Sequence, residues 1–217
     1  MSVRIPFTST STKPVIAVAF YSTYGHIETL AEAIIEGARS AGAEVRPYFI
    51  RETLPKEVLD KMYAGSSLSP KYPVLTPNDL KEVDGLILGA PTRYGRVPAQ
   101  VSAFFDECGG LWASGGLVGK FAATFTSSGG QHGGQETTAL TTMPFFTHLM
   151  YVPLGYTHPY VNDYAKNEIH GGSPWGVSTV VGSTGERSVL PEELELARHQ
   201  GKSFAETVGT FVRGKTA

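Results

Sequence analysis

The chain has a single cysteine, little net charge and no long apolar run. With one Cys in 217 residues and a formal net charge of −2, it has no partner for an internal disulfide and lacks the basic excess of proteins that bind nucleic acids or anionic membranes. No apolar run reaches the roughly 20 residues of a bilayer-spanning helix. We therefore expect a cytoplasmic protein with no integral membrane association and no nucleic-acid partner.

Several common catalytic motifs are also missing. The sequence contains no G-x-G-x-x-G, so that the usual fingerprint of dinucleotide-binding proteins is missing. It also contains no G-x-S-x-G, which argues against an α/β-hydrolase. It has no H-E-x-x-H and no paired C-x-x-C, and its six histidines are scattered without ligand spacing. We therefore expect no metal site.

A Ser/Thr-rich segment opens the chain. Residues 1–13 lack the apolar core of a secretion signal, and we interpret them as a flexible N-terminal extension. The hydrophobic content of 41% is enough for one substantial core in a chain of this length. The remainder, residues 14–213, is therefore predicted to form a single domain.

Strand and helix patterns alternate along that domain. Strands are predicted at residues 15–21, 44–50, 84–90, 120–126 and from 151, with a continuation at 176–181, and helices at 27–38, 56–63, 98–107, 136–149 and 191–212. Alternation of this kind predicts an α/β fold, a doubly wound parallel sheet with helices on both faces. Ligands of such sheets bind at the carboxyl ends of the strands. That rule selects three loops, residues 22–27, 91–97 and 127–135.

The first of these loops connects a β-branched strand to an amphipathic helix. It carries two hydroxyl side chains and a glycine, so that free backbone N–H groups and the positive end of the helix converge on one point. It has no Lys or Arg, which suits a terminal phosphate held by hydrogen bonds, as in flavin mononucleotide (FMN), better than a triphosphate. The alternative is a Ser/Thr residue that only caps the helix.

The other two loops are rich in glycine and polar residues. In residues 91–97, Gly95 permits a close approach, and Arg93 has the charge to stabilise a reduced flavin near N1. The four glycines of residues 127–135 allow the backbone to wrap against a ligand. The alternatives are a surface turn with a solvated arginine and a ligand-free surface loop.

Two further residues are open to more than one interpretation. Trp112 lies in a glycine-rich turn predicted for residues 109–116, where a large aromatic is either a packing plug or a stacking wall. His148 lies near the end of a predicted helix, and taken alone it is best interpreted as a core histidine with its hydrogen bonds satisfied.

Five segments, in this order, carry a family resemblance. They are Ser-Thr-Tyr-Gly-His-Ile-Glu-Thr at 22–29, Gly-Ala-Pro-Thr-Arg-Tyr-Gly at 89–95, Gly-Gly-Leu-Trp-Ala-Ser-Gly at 109–115, Gln-His-Gly-Gly-Gln-Glu at 131–136 and Gly-Gly-Ser-Pro-Trp-Gly at 171–176. The chain resembles the WrbA-type (type IV) NAD(P)H:quinone oxidoreductases of the flavodoxin-like fold. The resemblance implies a five-stranded sheet of order 2-1-3-4-5, FMN as cofactor, NADH or NADPH as cosubstrate, a quinone substrate and a homotetramer.

The resemblance also implies roles for individual residues. It gives Arg93 and His148 an electrostatic role at the ring, Tyr24 a contact with the nicotinamide and Trp112 a place in the quinone pocket. The residues implied to bind FMN are Ser22, Thr23, Tyr24, Gly25, His26, Ile27, Pro91, Thr92, Arg93, Tyr94, Gly95, Ser127, Ser128, Gly129, Gly130, Gln131, His132 and His148.

The implied reaction is a two-electron reduction of quinones to hydroquinones by a ping-pong hydride mechanism. A flavodoxin-type electron carrier without direct NAD(P)H oxidation is the alternative, although the net charge of −2 does not supply the acidic docking face expected of one. A binding or scaffold protein that uses the fold without redox function is the third hypothesis, and it predicts weak flavin binding.

Overall fold

A parallel sheet with helices around it forms the centre of the protein. The structure, a computed structural model, describes residues 13–64, 71–149, 151–153 and 169–216. The strands are β1 (Val15–Phe20), β2 (Glu44–Phe49), β3 (Gly85–Pro91), β4 (Phe121–Ser128), β5 (Val152–Pro153) and β6 (Ser178–Val180). The α-helices are α1 (His26–Ser40), α2 (Lys56–Lys61), α3 (Ala99–Glu107), α4 (Gly109–Ser114), α5 (Gln135–His148) and α6 (Pro191–Thr216), and a 3-10 helix spans Pro77–Glu82.

The strand order is β2-β1-β3-β4-β5, all parallel, which confirms the predicted order. Two separate segments share the position beside β4. Strand β5 pairs with Phe121 and Ala122 at the start of β4, and β6 pairs with residues 126–128 at the end of β4. The predicted continuation of the fifth strand is therefore confirmed. The strand order changes direction between β1 and β3, so that a cleft is expected at their carboxyl ends.

Gln200 of α6 fills the gap between β5 and β6. Its amide Nε2 donates to the carbonyl of Thr124 at 2.9 Å, and its Oε1 accepts from the backbone N–H of Val177 at 2.7 Å. The carbonyl of Val177 in turn accepts from the N–H of Thr126 at 3.0 Å. A side chain thus supplies a hydrogen bond that an unbroken edge strand would otherwise make.

Both faces of the sheet are covered. Every residue of β4 is buried, as parallel strands between two helical layers require. Helices α1 and α6 cross in backbone contact at two glycines. A Cβ at Gly37 would lie 1.9 Å from the carbonyl oxygen of Arg198, and a Cβ at Gly201 would lie 2.1 Å from that of Ile34. This close approach therefore requires glycine at both positions.

The predicted glycine-rich turn around Trp112 is wrong, because these residues form helix α4. Gly109 and Gly110 occupy its first turn and Gly115 ends it with a φ of 62°. The glycines therefore lie at the two ends of this short helix, and glycine in the left-handed conformation is a common helix stop.

Some predicted segments fall outside the described residues. Of the N-terminal extension, residues 1–13, only Lys13 is described, and the connection at residues 156–174 is described only from residue 169. Within the described ranges, the helices are too short or too polar to cross a bilayer.

Candidate functional site

A cavity of about 250 Å³ lies where β1, β3, β4 and β6 end. All three predicted loops contribute to its wall, and a fourth segment joins them. The lining residues are Ser22, Thr23, Tyr24, His26, Ile27, Pro91, Thr92, Arg93, Ser127, Ser128, Gly129, Val181, Gly182, Ser183, Thr184 and Gly185. The carboxyl edge of the sheet is thus a pocket, as the topology requires.

The first loop presents hydrogen-bond donors to this cavity. Ser22 Oγ accepts from the N–H of Gly25 at 3.0 Å, and Gly25, with a φ of 91°, leads directly into α1. The next two N–H groups, those of His26 and Ile27, have no acceptor among the described residues. Free donors at the positive end of a 15-residue helix are suited to binding an anion.

The second loop is a tight turn with a fully exposed tip. Arg93 and Arg96 exchange both backbone hydrogen bonds, at 2.7 and 3.2 Å. Between them Tyr94 and Gly95 have φ values of 56° and 78°, as a type I′ turn requires. Tyr94 is 101% exposed, so that its phenol ring at the tip of the turn is open to solvent.

Arg93 connects the first two loops. Its Nη2 donates to Thr23 Oγ1 at 3.2 Å, and its Nη1 donates to the carbonyl of Thr92 at 3.3 Å. The guanidinium is therefore held on the cavity wall. No Asp or Glu is among the described residues that line the cavity, so the charge of Arg93 favours an anionic ligand there.

The second and third loops are in close contact. Thr92 Oγ1 accepts from the N–H of Gly95 at 3.2 Å and lies 2.8 Å from Thr138 Oγ1. Gly134, which precedes α5 with a φ of 114°, has space for no side chain. A Cβ there would lie 2.8 Å from Thr92 Oγ1 and 3.1 Å from the Cα of Gly95.

The fourth loop, residues 181–185, was not predicted from the sequence. His26 Nε2 lies 2.9 Å from the carbonyl oxygen of Arg187, which fixes this loop beside the start of α1. The backbone N–H of Arg187 donates to the carbonyl of Val181, and its guanidinium donates to Val180 and Ile169. The signal in the sequence is Gly-Ser-Thr-Gly at 182–185, which follows β6 much as the first loop follows β1.

The model of a protein family described as NADPH-dependent FMN reductase matches residues 16–163. The chain belongs to this family. The matched region contains the first three loops of the cavity, and the resemblance drawn from their motifs is confirmed.

Two curated relatives and one solved structure illustrate the family assignment. The chain is 43% identical over 199 residues to a protein of Acidovorax ebreus named NAD(P)H dehydrogenase (quinone), covering 92% of this chain and 98% of the relative. It is 46% identical over 200 residues to the P25 protein of Schizosaccharomyces pombe, covering 91% and 98%. A flavodoxin, WrbA-like protein from Agrobacterium tumefaciens has a TM-score of 0.61 at 19% identity, covering 90% of this chain and 98% of that one, which confirms the flavodoxin-like fold.

In this member of the FMN reductase family, some predicted site residues lie away from the cavity. Gly25, Tyr94, Gly95, Gly130, Gln131 and His132 belong to the three loops but do not line it. Trp112 and His148 lie farther off. Helices α3 and α5 lead back from the carboxyl edge of the sheet. They contact each other through the stacked rings of Phe105 and Phe145, whose centroids are 3.7 Å apart. Trp112 on α4 and His148 at the end of α5 follow them, and both are exposed.

The described residues contain no group of three or more His, Cys, Asp or Glu side chains with the arrangement of a metal site. The described side chains that line the cavity supply hydroxyls, one guanidinium and one imidazole, and the first loop supplies backbone N–H groups.

Proposed function

We propose that the protein is an FMN-dependent NAD(P)H:quinone oxidoreductase that reduces quinones to hydroquinones by two electrons. The observation that carries this proposal is the cavity at the carboxyl edge of the sheet, where free N–H donors at the start of α1 face a positively charged wall. Family membership and the curated relatives named NAD(P)H dehydrogenase (quinone) support it.

The residues of the cavity fit FMN. Ser22, Thr23 and the unpaired N–H groups of His26 and Ile27 match a terminal phosphate. The segment Ser127 to Gly129 and the second loop line the opposite wall and would hold the ring system. Bound FMN supplies the capacity to take two electrons from NAD(P)H and to pass them to a quinone.

Arg93 has the clearest role among the charged residues. Hydrogen bonds to Thr23 and Thr92 fix its guanidinium on the cavity wall. A fixed positive charge in a partly buried pocket stabilises negative charge that develops on a bound ring, because the charge is already in position before the reaction. Arg93 would therefore favour the reduced cofactor.

Two tyrosines would receive the substrates. Tyr24 lines the cavity, is 49% exposed, and donates from its hydroxyl to the carbonyl of Met62 at 3.2 Å. Tyr94 is fully exposed at the tip of the second loop. A flat nicotinamide and a flat quinone would use the same space between these rings in turn, which predicts ping-pong kinetics.

We also propose a homotetramer. Trp112 and His148 are not among the residues that line the cavity of their own chain. Both are exposed, and Leu140 on α5 is exposed as well. Assembly would bring Trp112 and His148 of one subunit to the cavity of another. Sedimentation velocity of the wild type and of Trp112→Ala tests this proposal.

Two remaining expectations stay proposals. We infer that residues 14–213 form a single domain, for which the continuous hydrophobic core from β1 to α6 is the support. We also infer a cytoplasmic location, because the lone Cys108 is buried as a free thiol and suits a reducing compartment.

The visible spectrum of the purified protein with added FMN tests the function. Anaerobic NADPH or NADH should bleach the flavin bands, and benzoquinone should restore them. Bands that persist with either nicotinamide would favour the electron carrier. A protein that binds no FMN would refute the proposed function.

A further inference from the structure

A buried line of polar groups leads away from the cavity behind Arg93. Its Nη2 donates to Thr23 Oγ1 at 3.2 Å, and the Thr23 hydroxyl lies close enough to that of Tyr21 to lower the pKa of the phenol. The Tyr21 hydroxyl donates to Glu52 Oε2 at 2.6 Å. Tyr21 and Thr23 are each only 2% exposed. Arg93 and Glu52 are thus the two ends of one hydrogen-bonded chain.

The direction of every hydrogen bond in this chain is determined. A guanidinium can only donate and an ionised carboxylate can only accept. Thr23 accepts from Arg93 and Tyr21 donates to Glu52, so that a bond between the two hydroxyls runs from Thr23 to Tyr21. Both hydroxyl protons point away from the cavity, so that the chain is polarised from Arg93 to Glu52.

Glu52 is fixed independently of Tyr21. Its Oε1 accepts from Gln100 Nε2 at 2.6 Å and from the backbone N–H groups of Thr53 and Leu54 at 2.8 and 2.9 Å. Burial raises the pKa of Glu52, but the hydrogen bonds from Tyr21, Gln100 and the backbone outweigh it and lower the pKa below its usual value. Glu52 is therefore a rigid, ionised anchor at neutral pH.

Tyr21 stays a neutral donor under the same conditions. Burial, together with the hydrogen bond to Glu52, raises the pKa of its phenol well above the usual value. The two hydroxyls thus separate the charge of Glu52 from the cavity. A carboxylate in direct contact with Arg93 would cancel the positive charge there, whereas a carboxylate two hydroxyls away orients the guanidinium and leaves its charge directed at the ligand.

We propose that Glu52 is a positioning residue which, through Tyr21 and Thr23, holds Arg93 against the bound flavin and thereby raises its reduction potential. This inference rests on the proposed function. Arg93 acts on the reacting ring, while Glu52 and Tyr21 act only through Arg93. Removal of the Tyr21 hydroxyl therefore breaks the link between Glu52 and the Thr23 hydroxyl that accepts from Arg93, without changing the charge of the protein.

Tyr21→Phe tests the proposal by redox titration of the FMN-loaded protein. We expect the variant to bind FMN and to lose about tenfold in its preference for reduced over oxidised FMN, the scale of one charge-assisted hydrogen bond. For a two-electron couple that loss is a midpoint about 30 mV more negative. The matched control is Tyr151→Phe, because the buried Tyr151 hydroxyl has no partner among the described residues. Its midpoint should equal that of the wild type.

A double-mutant cycle with Arg93→Ala separates positioning from packing. In the Arg93→Ala background Tyr21→Phe should no longer move the midpoint, since its effect passes through the missing guanidinium. An equal shift with and without Arg93, or no shift at all in Tyr21→Phe, would overturn the inference. Failure of the wild type to bind FMN would instead refute the proposed function.

Glu52→Gln provides a second route if Tyr21→Phe does not fold. The three donors at Oε1 would retain the amide oxygen of a glutamine, so that its NH2 group would face Tyr21 and reverse the polarity of the chain. We expect the midpoint shift of Glu52→Gln to differ between the wild-type and Arg93→Ala backgrounds. Identical shifts would mean that Glu52 acts by its charge alone.

Discussion

The crossing of α1 and α6 predicts opposite effects for two glycine substitutions in the same helix. Gly201 faces α1, and a Cβ there would lie 2.1 Å from the carbonyl oxygen of Ile34. Gly214, near the end of α6, has no atom within 4 Å of an added Cβ. Gly201→Ala therefore forces two backbones apart, whereas Gly214→Ala adds a methyl group in open space.

The magnitude follows from two opposing terms. Alanine is favoured over glycine in a helix by about 1 kcal/mol. Because carbon and oxygen atoms rarely approach below 3 Å, Gly201→Ala must separate the helices by about 1 Å, and overpacking of this kind costs about 1–3 kcal/mol. Because the obstacle is backbone, which cannot rotate away, we take the upper part of that range, about 2–3 kcal/mol, which leaves a net loss of about 1–2 kcal/mol. Gly214→Ala should gain less than about 1 kcal/mol.

Urea denaturation followed by circular dichroism measures both variants. The midpoint should fall for Gly201→Ala and stay level or rise for Gly214→Ala, with an unchanged slope for each. If Gly201→Ala were as stable as the wild type, the helices would not be in backbone contact, and the account of this packing would be wrong.

Four further predictions concern the site and its supports. Arg93→Ala should lower quinone reduction at least about tenfold with FMN still bound, and full turnover in steady-state assays would contradict its role. Gly134→Ala, at a φ of 114° against Thr92, should weaken FMN binding in a fluorescence titration, whereas unchanged affinity would mean that the loops tolerate separation. Because the pKa of Glu52 is lowered in the fold, its contribution to stability is complete above the unfolded-state pKa of about 4.3 and is lost as pH falls through the lower folded value. Urea denaturation across this pH range should show that the free energy of unfolding falls less steeply with falling pH in Glu52→Gln than in the wild type. An identical fall in the two proteins would exclude this contribution. Glu193→Gln should cost about 1–3 kcal/mol in thermal unfolding, because its buried carboxylate accepts three hydrogen bonds, and a neutral result would refute the need for an acceptor there.

Features that depend on residues close together in the chain could be predicted from the sequence. The first strand, loop and helix were predicted because a buried parallel strand and an amphipathic helix each have a distinct spacing of apolar residues. The alternation of these patterns predicted the sheet and its ligand-binding edge, and with them the residues of the first three loops that line the cavity.

What could not be predicted depends on long-range geometry. The fourth loop follows β6, a strand of three residues that reaches the site by pairing in parallel with the end of β4, and His26 binds the carbonyl of Arg187 far along the chain. The positions of Trp112 and His148 relative to the cavity depend on where α4 and α5 end. Motif spacing along the chain does not encode that distance.

The divided edge strand means that the pocket end of this sheet edge is held separately from its other end. Strand β5 ends its pairing at Ala122 and β6 begins at Thr126, with Gln200 between them. The positions of β6 and the fourth loop are therefore set by β4 and Gln200 and not by a continuous pairing that starts at β5. For evolution this means that the start of the edge strand can change its pairing while the frame of the pocket stays constant.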